Sequence, residues 1–212
     1  GKTQPGVYAK DVMIYIAGLL GMDGGTYRSV EFGGDYIDNL PMHERIVFPN
    51  MSTEIGAKCG LIAADNVTIQ YLENETPAQG PFEKITPVNP RYERVIEIDV
   101  AALSPHVACH PDVDNAKPLD QVEGLEVHEV YIGTCTNARY EDIEIVANML
   151  KGKKVDPFTR VIVTPASERI YKKAMKNGLI EILLDAGCTV TGTGCGACIG
   201  RHGGILAAGE RA

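Results

Sequence analysis

A chain of 212 residues with 44% hydrophobic side chains can bury a full core in one or two domains. Its 28 acidic against 20 basic residues leave a formal charge of −8, and the basic ones are dispersed, which argues against a nucleic-acid partner. No apolar run reaches the roughly 18 residues of a membrane helix, no signal-peptide pattern opens the chain, and six cysteines are too few for a disulfide-stapled secreted fold, so a cytoplasmic protein with no membrane partner is expected.

In residues 8–20, Val12, Ile14, Ile16, Leu19 and Leu20 predict a largely buried helix, ended by Gly21. Residues 27–32, with Val30 and Phe32, predict a strand turned by Gly33 and Gly34. A short helix over 35–40 precedes a longer one over 49–58 that carries Met51, Ile55 and Ala57. Asn50 and Glu54 are four apart, so on a helix they leave one face; by themselves they read as the polar side of an amphipathic helix. Asp65 suits the N-cap of a helix over 66–72. Pro77, Pro81, Pro87 and Pro90 make residues 73–91 the expected linker between two domains, 1–80 and 81–212.

Val95, Ile96 and Ile98 predict a strand over 94–100, followed by a proline- and aspartate-rich stretch, 104–120, that crosses the surface or lines a cleft. Strands are expected at 127–132, 160–163 and 188–190, and helices at 140–150, 167–177 (capped by Ser167, closed by Gly178) and 179–185. This alternation implies an α/β fold, a mostly parallel sheet flanked by helices in αβα layers.

Cys135 follows the first of those strands, in YIGTCTN at 131–137. Cys195 and Cys198 follow the last, in TGTGCGACIG at 191–200. Both are carboxyl ends of parallel strands, where open α/β sheets bind ligands, and the fold is expected to gather the three thiols into one pocket. Three thiolates hold a cubane of four irons with one iron left open as a Lewis acid for a hydroxyl and a carboxylate; four would make an electron carrier. Gly192, Gly194, Gly196 and Gly200 let backbone pass close to a bulky group, while Thr134 and Thr136 add hydroxyl donors. On the cysteines alone, other readings stand beside this one: a structural zinc site completed by His202, a redox CxxC that leaves Cys135 idle, or three unligated core thiols. Cys59, Cys109 and Cys188 read as ordinary buried or loop residues, Arg139 as a surface ion-pair residue, and Asn137 as a turn residue or a donor.

YIGTCTNARYED at 131–142 resembles the first cluster-cysteine motif of the aconitase superfamily, and GCGACIG at 194–200 resembles the second. NMSTEIGA at 50–57 is similar to the family's helix bearing an active-site Asn and Glu, and PGVYAKD at 5–11 and GGT at 24–26 match in order. The resemblance spans essentially the whole chain and departs at Thr193, where proline is expected. Within the superfamily the chain looks most like large subunits of the isopropylmalate isomerase and homoaconitase type, through VAC at 107–109, Asp114, Asn115 and GRH at 200–202.

The resemblance implies two aconitase-like domains and a hydro-lyase that interconverts 2-hydroxy di- or tricarboxylates through an unsaturated intermediate. It implies a 4Fe-4S cluster held by Cys135, Cys195 and Cys198, with Glu54 hydrogen-bonded to iron-bound water or hydroxide and Asn50 orienting the cluster or that water. Isopropylmalate is the first substrate it suggests; homoaconitase, aconitase and alkylmalate dehydratase activities are alternatives. It further implies that the chain corresponds to middle domains of a larger enzyme and is inactive alone, with the base and the carboxylate-clamping residues on other domains or on a small, swivelling subunit. A non-catalytic cluster- or metal-binding module that docks partner subunits is the alternative of another class.

Overall fold

Val12, Met13, Ile16 and Ala17 recur at helical spacing and are buried along one side of α1 (Ala9–Leu20). The computed structural model describes residues 1–77, 79–133 and 135–212, and it divides into two compact units, Gly1–Glu123 and Gly124–Ala212. Thr134, expected to supply a hydroxyl, lies outside the described residues.

In the first unit, β1 (Ser29–Phe32) pairs in parallel with β2 (Cys59–Ile62), from Ser29 opposite Cys59 to Phe32 opposite Ile62. Between them run α2 (Asp35–Asp38), α3 (Met42–Arg45) and α4 (Val47–Met51), then a 3-10 turn, Ser52–Ile55. Met13, Phe48 and Ile55 are fully buried in the core these elements share with α1. α5 (Asn66–Glu75) is capped by Asp65, whose carboxylate accepts from the Thr68 amide at 3.1 Å, as its sequence suggested. β3 (His106–Ala108) and β4 (Ala116–Pro118) form an antiparallel pair inside the stretch expected to be irregular.

Three expectations are corrected here. The helix predicted over 49–58 is instead α4 followed by the 3-10 turn: Pro49 lies within α4 and not at its start, and Gly56, in the left-handed conformation at φ +77°, closes the run early. The strand predicted over 94–100 does not form; Val95 and Ile96 are exposed, with no neighbouring strand among the described residues to take up the alternation, and the chain instead makes a 3-10 turn at Val100–Ala102. The two units meet at 123/124, where 80/81 was expected, because β3 and β4 pack on α1 and Asp11 of α1 accepts from the His106 amide at 2.9 Å.

The second unit follows the expected alternation: β5 (Glu129–Ile132), α6 (Tyr140–Leu150), β6 (Arg160–Val163), α7 (Glu168–Lys176), α8 (Leu179–Ala186) and β7 (Thr189–Val190). The strands are parallel in the order β5-β6-β7. Val161 and Val163 turn to one face, where α6, α7 and α8 bury Ile143, Ala147, Ala174 and Leu183 against them. Glu129, Tyr131 and Ile162 turn to the other. A Cβ at Gly204 would stand 2.6 Å from Ile162 Cδ1, 2.9 Å from Ala197 Cβ and 3.1 Å from Glu129 Oε1, so the loop after Cys198 lies directly on that face. The buried Glu129 is paired with Arg160 at 3.2 Å, and Arg160 also holds Glu210 through two bonds of 2.9 and 2.7 Å. No helix among the described residues is long and apolar enough to cross a membrane.

Candidate functional site

The backbone ladder of the second unit runs past its strands: the Thr164 amide donates to Ile132 and the Thr191 amide to Val163, at 2.8 and 2.9 Å. The hydroxyls of Thr164 and Thr191 are 2.6 Å apart. These residues mark the carboxyl edge of the sheet, and both cysteine loops leave from it. Cys135 comes three residues after the end of β5, and Cys195 five after the end of β7. With β6 between them, the two strand ends stand about 9–10 Å apart.

Around Cys135 the chain is tightly determined. Thr136 is buried and donates to Asn137 Oδ1 at 3.1 Å, Ala138 is fully buried at φ +54°, and its carbonyl accepts from the Ala166 amide at 3.0 Å. A left-handed alanine costs roughly 1 kcal/mol, and such strain persists only where the surroundings impose it. The Arg139 amide donates to Asp142 at 3.0 Å, which starts α6. Arg139, read from the sequence as an ion-pair residue, instead donates from Nη2 to the Cys135 carbonyl at 3.0 Å, closing the loop on itself.

Tyr131 folds over Gly133; a Cβ there would come within 2.6 Å of the phenol oxygen. Among the described residues, two buried side-chain polar atoms have no hydrogen-bond partner, Tyr131 Oη and Arg139 Nε, and both belong to residues that flank Cys135. Sequence reasoning missed this pair. An apolar strand context hid Tyr131, and the only signal was that a tyrosine and an arginine sit four residues to either side of a lone cysteine.

Cys135, Cys195 and Cys198 are exposed, and none of the six cysteines, all within the described residues, is in a disulfide. Cys188 lies in the core, where burial pushes its thiol pKa up. The fold brings the two cysteine loops to one sheet edge but not the sulfurs into a finished ligand set: among the described residues, no three His, Cys, Asp or Glu side chains stand near enough to share a metal ion. The single pocket expected from the sequence is not formed among the described residues: the two loops leave one sheet edge without gathering the three sulfurs. Ligand thiolates repel one another and close around their cations, so a set of this kind need not preassemble. In kind and number the donors fit an iron–sulfur cubane, and among the described residues two buried donors, on residues four positions to either side of Cys135, have no hydrogen-bond partner. His202, the alternative zinc ligand, packs its ring against Gly196.

Asn50 and Glu54 lie in the first unit, Asn50 half-buried on α4 and Glu54 exposed on the 3-10 turn. The helix type changes between them, from α to 3-10, so the continuous helix expected to carry both does not form. Their segment is pinned by close contact: a Cβ at Gly60 of β2 would lie 2.6 Å from Pro49 Cα and 2.5 Å from Ser52 Oγ, and the Gly25 amide donates to the Ile55 carbonyl at 2.7 Å.

A family model described as the aconitase family (aconitate hydratase) matches residues 1–125 and 111–212. A 3-isopropylmalate dehydratase large subunit 2 of Archaeoglobus fulgidus is 44% identical over 211 residues, covering 99% of this chain and 50% of the relative. A large subunit with the same enzyme name from Elusimicrobium minutum is 44% identical over 212 residues, covering 99% and 50%. A probable methanogen homoaconitase large subunit of Methanothermobacter thermautotrophicus is 42% identical over 210 residues, covering 99% and 49%. The chain thus spans about half the length of the curated relatives it matches.

Proposed function

Because this chain belongs to the aconitase family, we propose that it forms part of an iron–sulfur hydro-lyase that dehydrates a 2-hydroxy di- or tricarboxylate and rehydrates the unsaturated product at the neighbouring carbon. Relatives named for 3-isopropylmalate dehydratase favour an isopropylmalate-type substrate, and the homoaconitase relative at 42% identity keeps a homologous tricarboxylate as the second choice. Their designation as large subunits supports a small partner subunit.

Cys135, Cys195 and Cys198 are the residues that would hold a 4Fe-4S cluster, each on a loop at the carboxyl edge of β5-β6-β7. When bound, the cluster supplies one iron without a protein ligand, a Lewis acid for the hydroxyl and a carboxylate of the substrate. Glu54 is proposed to give its proton to the departing hydroxyl and take it back on rehydration. Asn50 orients that hydroxyl, and its placement is fixed by the contact of Gly60 with Pro49.

The observation that carries this reading is that the Cys135 loop and the CxxC loop leave the same carboxyl edge of a parallel sheet, in a chain whose full length matches the family. Anaerobic reconstitution of the whole enzyme with iron and sulfide tests it. Cys135→Ser, Cys195→Ser and Cys198→Ser should each lose stable iron and the absorbance near 400 nm. Normal iron content in any of the three would remove that cysteine from the ligand set.

A further inference from the structure

A buried hydroxyl or guanidinium N–H without a partner is costly, and a folded protein keeps one only where something else offsets the loss. Both such atoms among the described residues, Tyr131 Oη and Arg139 Nε, belong to residues that flank Cys135, Tyr131 on β5 and Arg139 at the start of α6. The same arginine already spends Nη2 on the Cys135 carbonyl at 3.0 Å, and Tyr131 lies against Gly133. Tyr131 also shares a sheet face with Ile162, its register partner, against which Gly204 and the Cys195–Cys198 loop are packed. Tyr131 is thus on the side of the sheet that the second cysteine loop covers. The strained, fully buried Ala138 holds the arginine's backbone in place.

We propose that Tyr131 and Arg139 are positioning residues for the group bound at Cys135: Tyr131 Oη and Arg139 Nε donate hydrogen bonds to it, while Nη2 of Arg139 orients the loop that carries the thiolate. This inference rests on the cluster reading above. A cubane with three thiolate ligands is anionic, so donors aimed at its sulfurs hold it and favour its reduced, more negative state. A purely structural role has a different signature, because an unpartnered hydroxyl contributes nothing to the protein without the cluster.

The test uses the whole enzyme, with and without reconstituted cluster, comparing wild type with Tyr131→Phe, Arg139→Lys and Arg139→Met. Without cluster, Tyr131→Phe should melt at the same or a higher temperature, since a buried unpaired hydroxyl has been removed. With cluster, it should release iron to a chelator about tenfold faster or more, the usual scale for losing an outer-shell donor, and its reduction potential should fall. Arg139→Met should behave likewise, and Arg139→Lys should recover part of the iron retention. A wild type that loads the cluster, with all three variants matching it in iron release and potential, would overturn this inference and leave the functional reading standing. A wild type that takes up no cluster would overturn both.

Discussion

Arg45 is only 2% exposed, and all three of its guanidinium nitrogens are engaged: two bonds to the Asp65 carboxylate at 2.7 and 2.9 Å, one to the Leu40 carbonyl and one to the Asp38 carbonyl. Asp65 in turn caps α5. The cap was legible because aspartate before an apolar run has a local meaning; the buried arginine was not, because only tertiary packing decides which of many charged residues goes inside. The hydrogen bonds from Arg45 hold the Asp65 carboxyl down at about 2, from an ordinary 3.8. Its contribution to stability is therefore complete above roughly pH 4 and disappears as the pH falls toward 2. Asp65→Asn should cost about 1 kcal/mol at neutral pH, since more than a third of the side chain faces water, and should flatten the acid limb of a urea-stability profile between those values. A steeper limb in the variant would show that other carboxylates govern the acid transition. At the candidate site, Glu54→Gln should keep the cluster but slow turnover by about two orders of magnitude; an unchanged turnover number would take Glu54 out of the reaction.

Secondary structure could be read from the sequence wherever local pattern and tertiary context agree. In the second unit every helix and strand lies within a residue or two of its expected place, because apolar runs bounded by Ser167, Gly178 and Gly187 leave little choice. Where a strand needs a partner the pattern misleads: Val95, Ile96 and Ile98 alternate but have no strand beside them, whereas β3 and β4, three residues each, are too short to show alternation and exist because they pair. β2 was hidden by Gly60, which is there because β2 approaches the end of α4 closely. Gly60→Ala puts a methyl 2.5 Å from Ser52 Oγ and 2.6 Å from Pro49 Cα. Overpacking of this kind should cost about 1–3 kcal/mol and displace Asn50, so the variant should lose turnover as well as stability in denaturant melts. Wild-type stability would mean that β2 and α4 can separate freely.

At the scale of the molecule, the α/β class and the membership of the family were both readable in the motifs, but the division between units was not. Proline-rich residues marked a plausible linker at 73–91, yet a linker is defined by what its flanks pack against, and β3 and β4 pack on α1. The irregular stretch is tied down by side chains instead: Arg28 with Glu93 at 2.8 Å, Tyr92 with Glu31 at 2.8 Å, and a backbone bridge between Ala64 and Ile85. Such exposed ties are weak, so trypsin should cut first after Lys84, Arg91 or Arg94. First cuts inside β5-α6-β6 would reverse the assignment of local stability. Two cysteine-bearing loops leave one sheet edge, and the proposal that their three thiols hold one cluster is open to direct measurement. Mössbauer spectra of the whole enzyme reconstituted with iron-57 should show four irons per chain, one distinct from the others and shifted when a 2-hydroxy dicarboxylate is added. Four equivalent irons indifferent to substrate, or a colourless protein with a single zinc, would contradict the open-iron hydro-lyase.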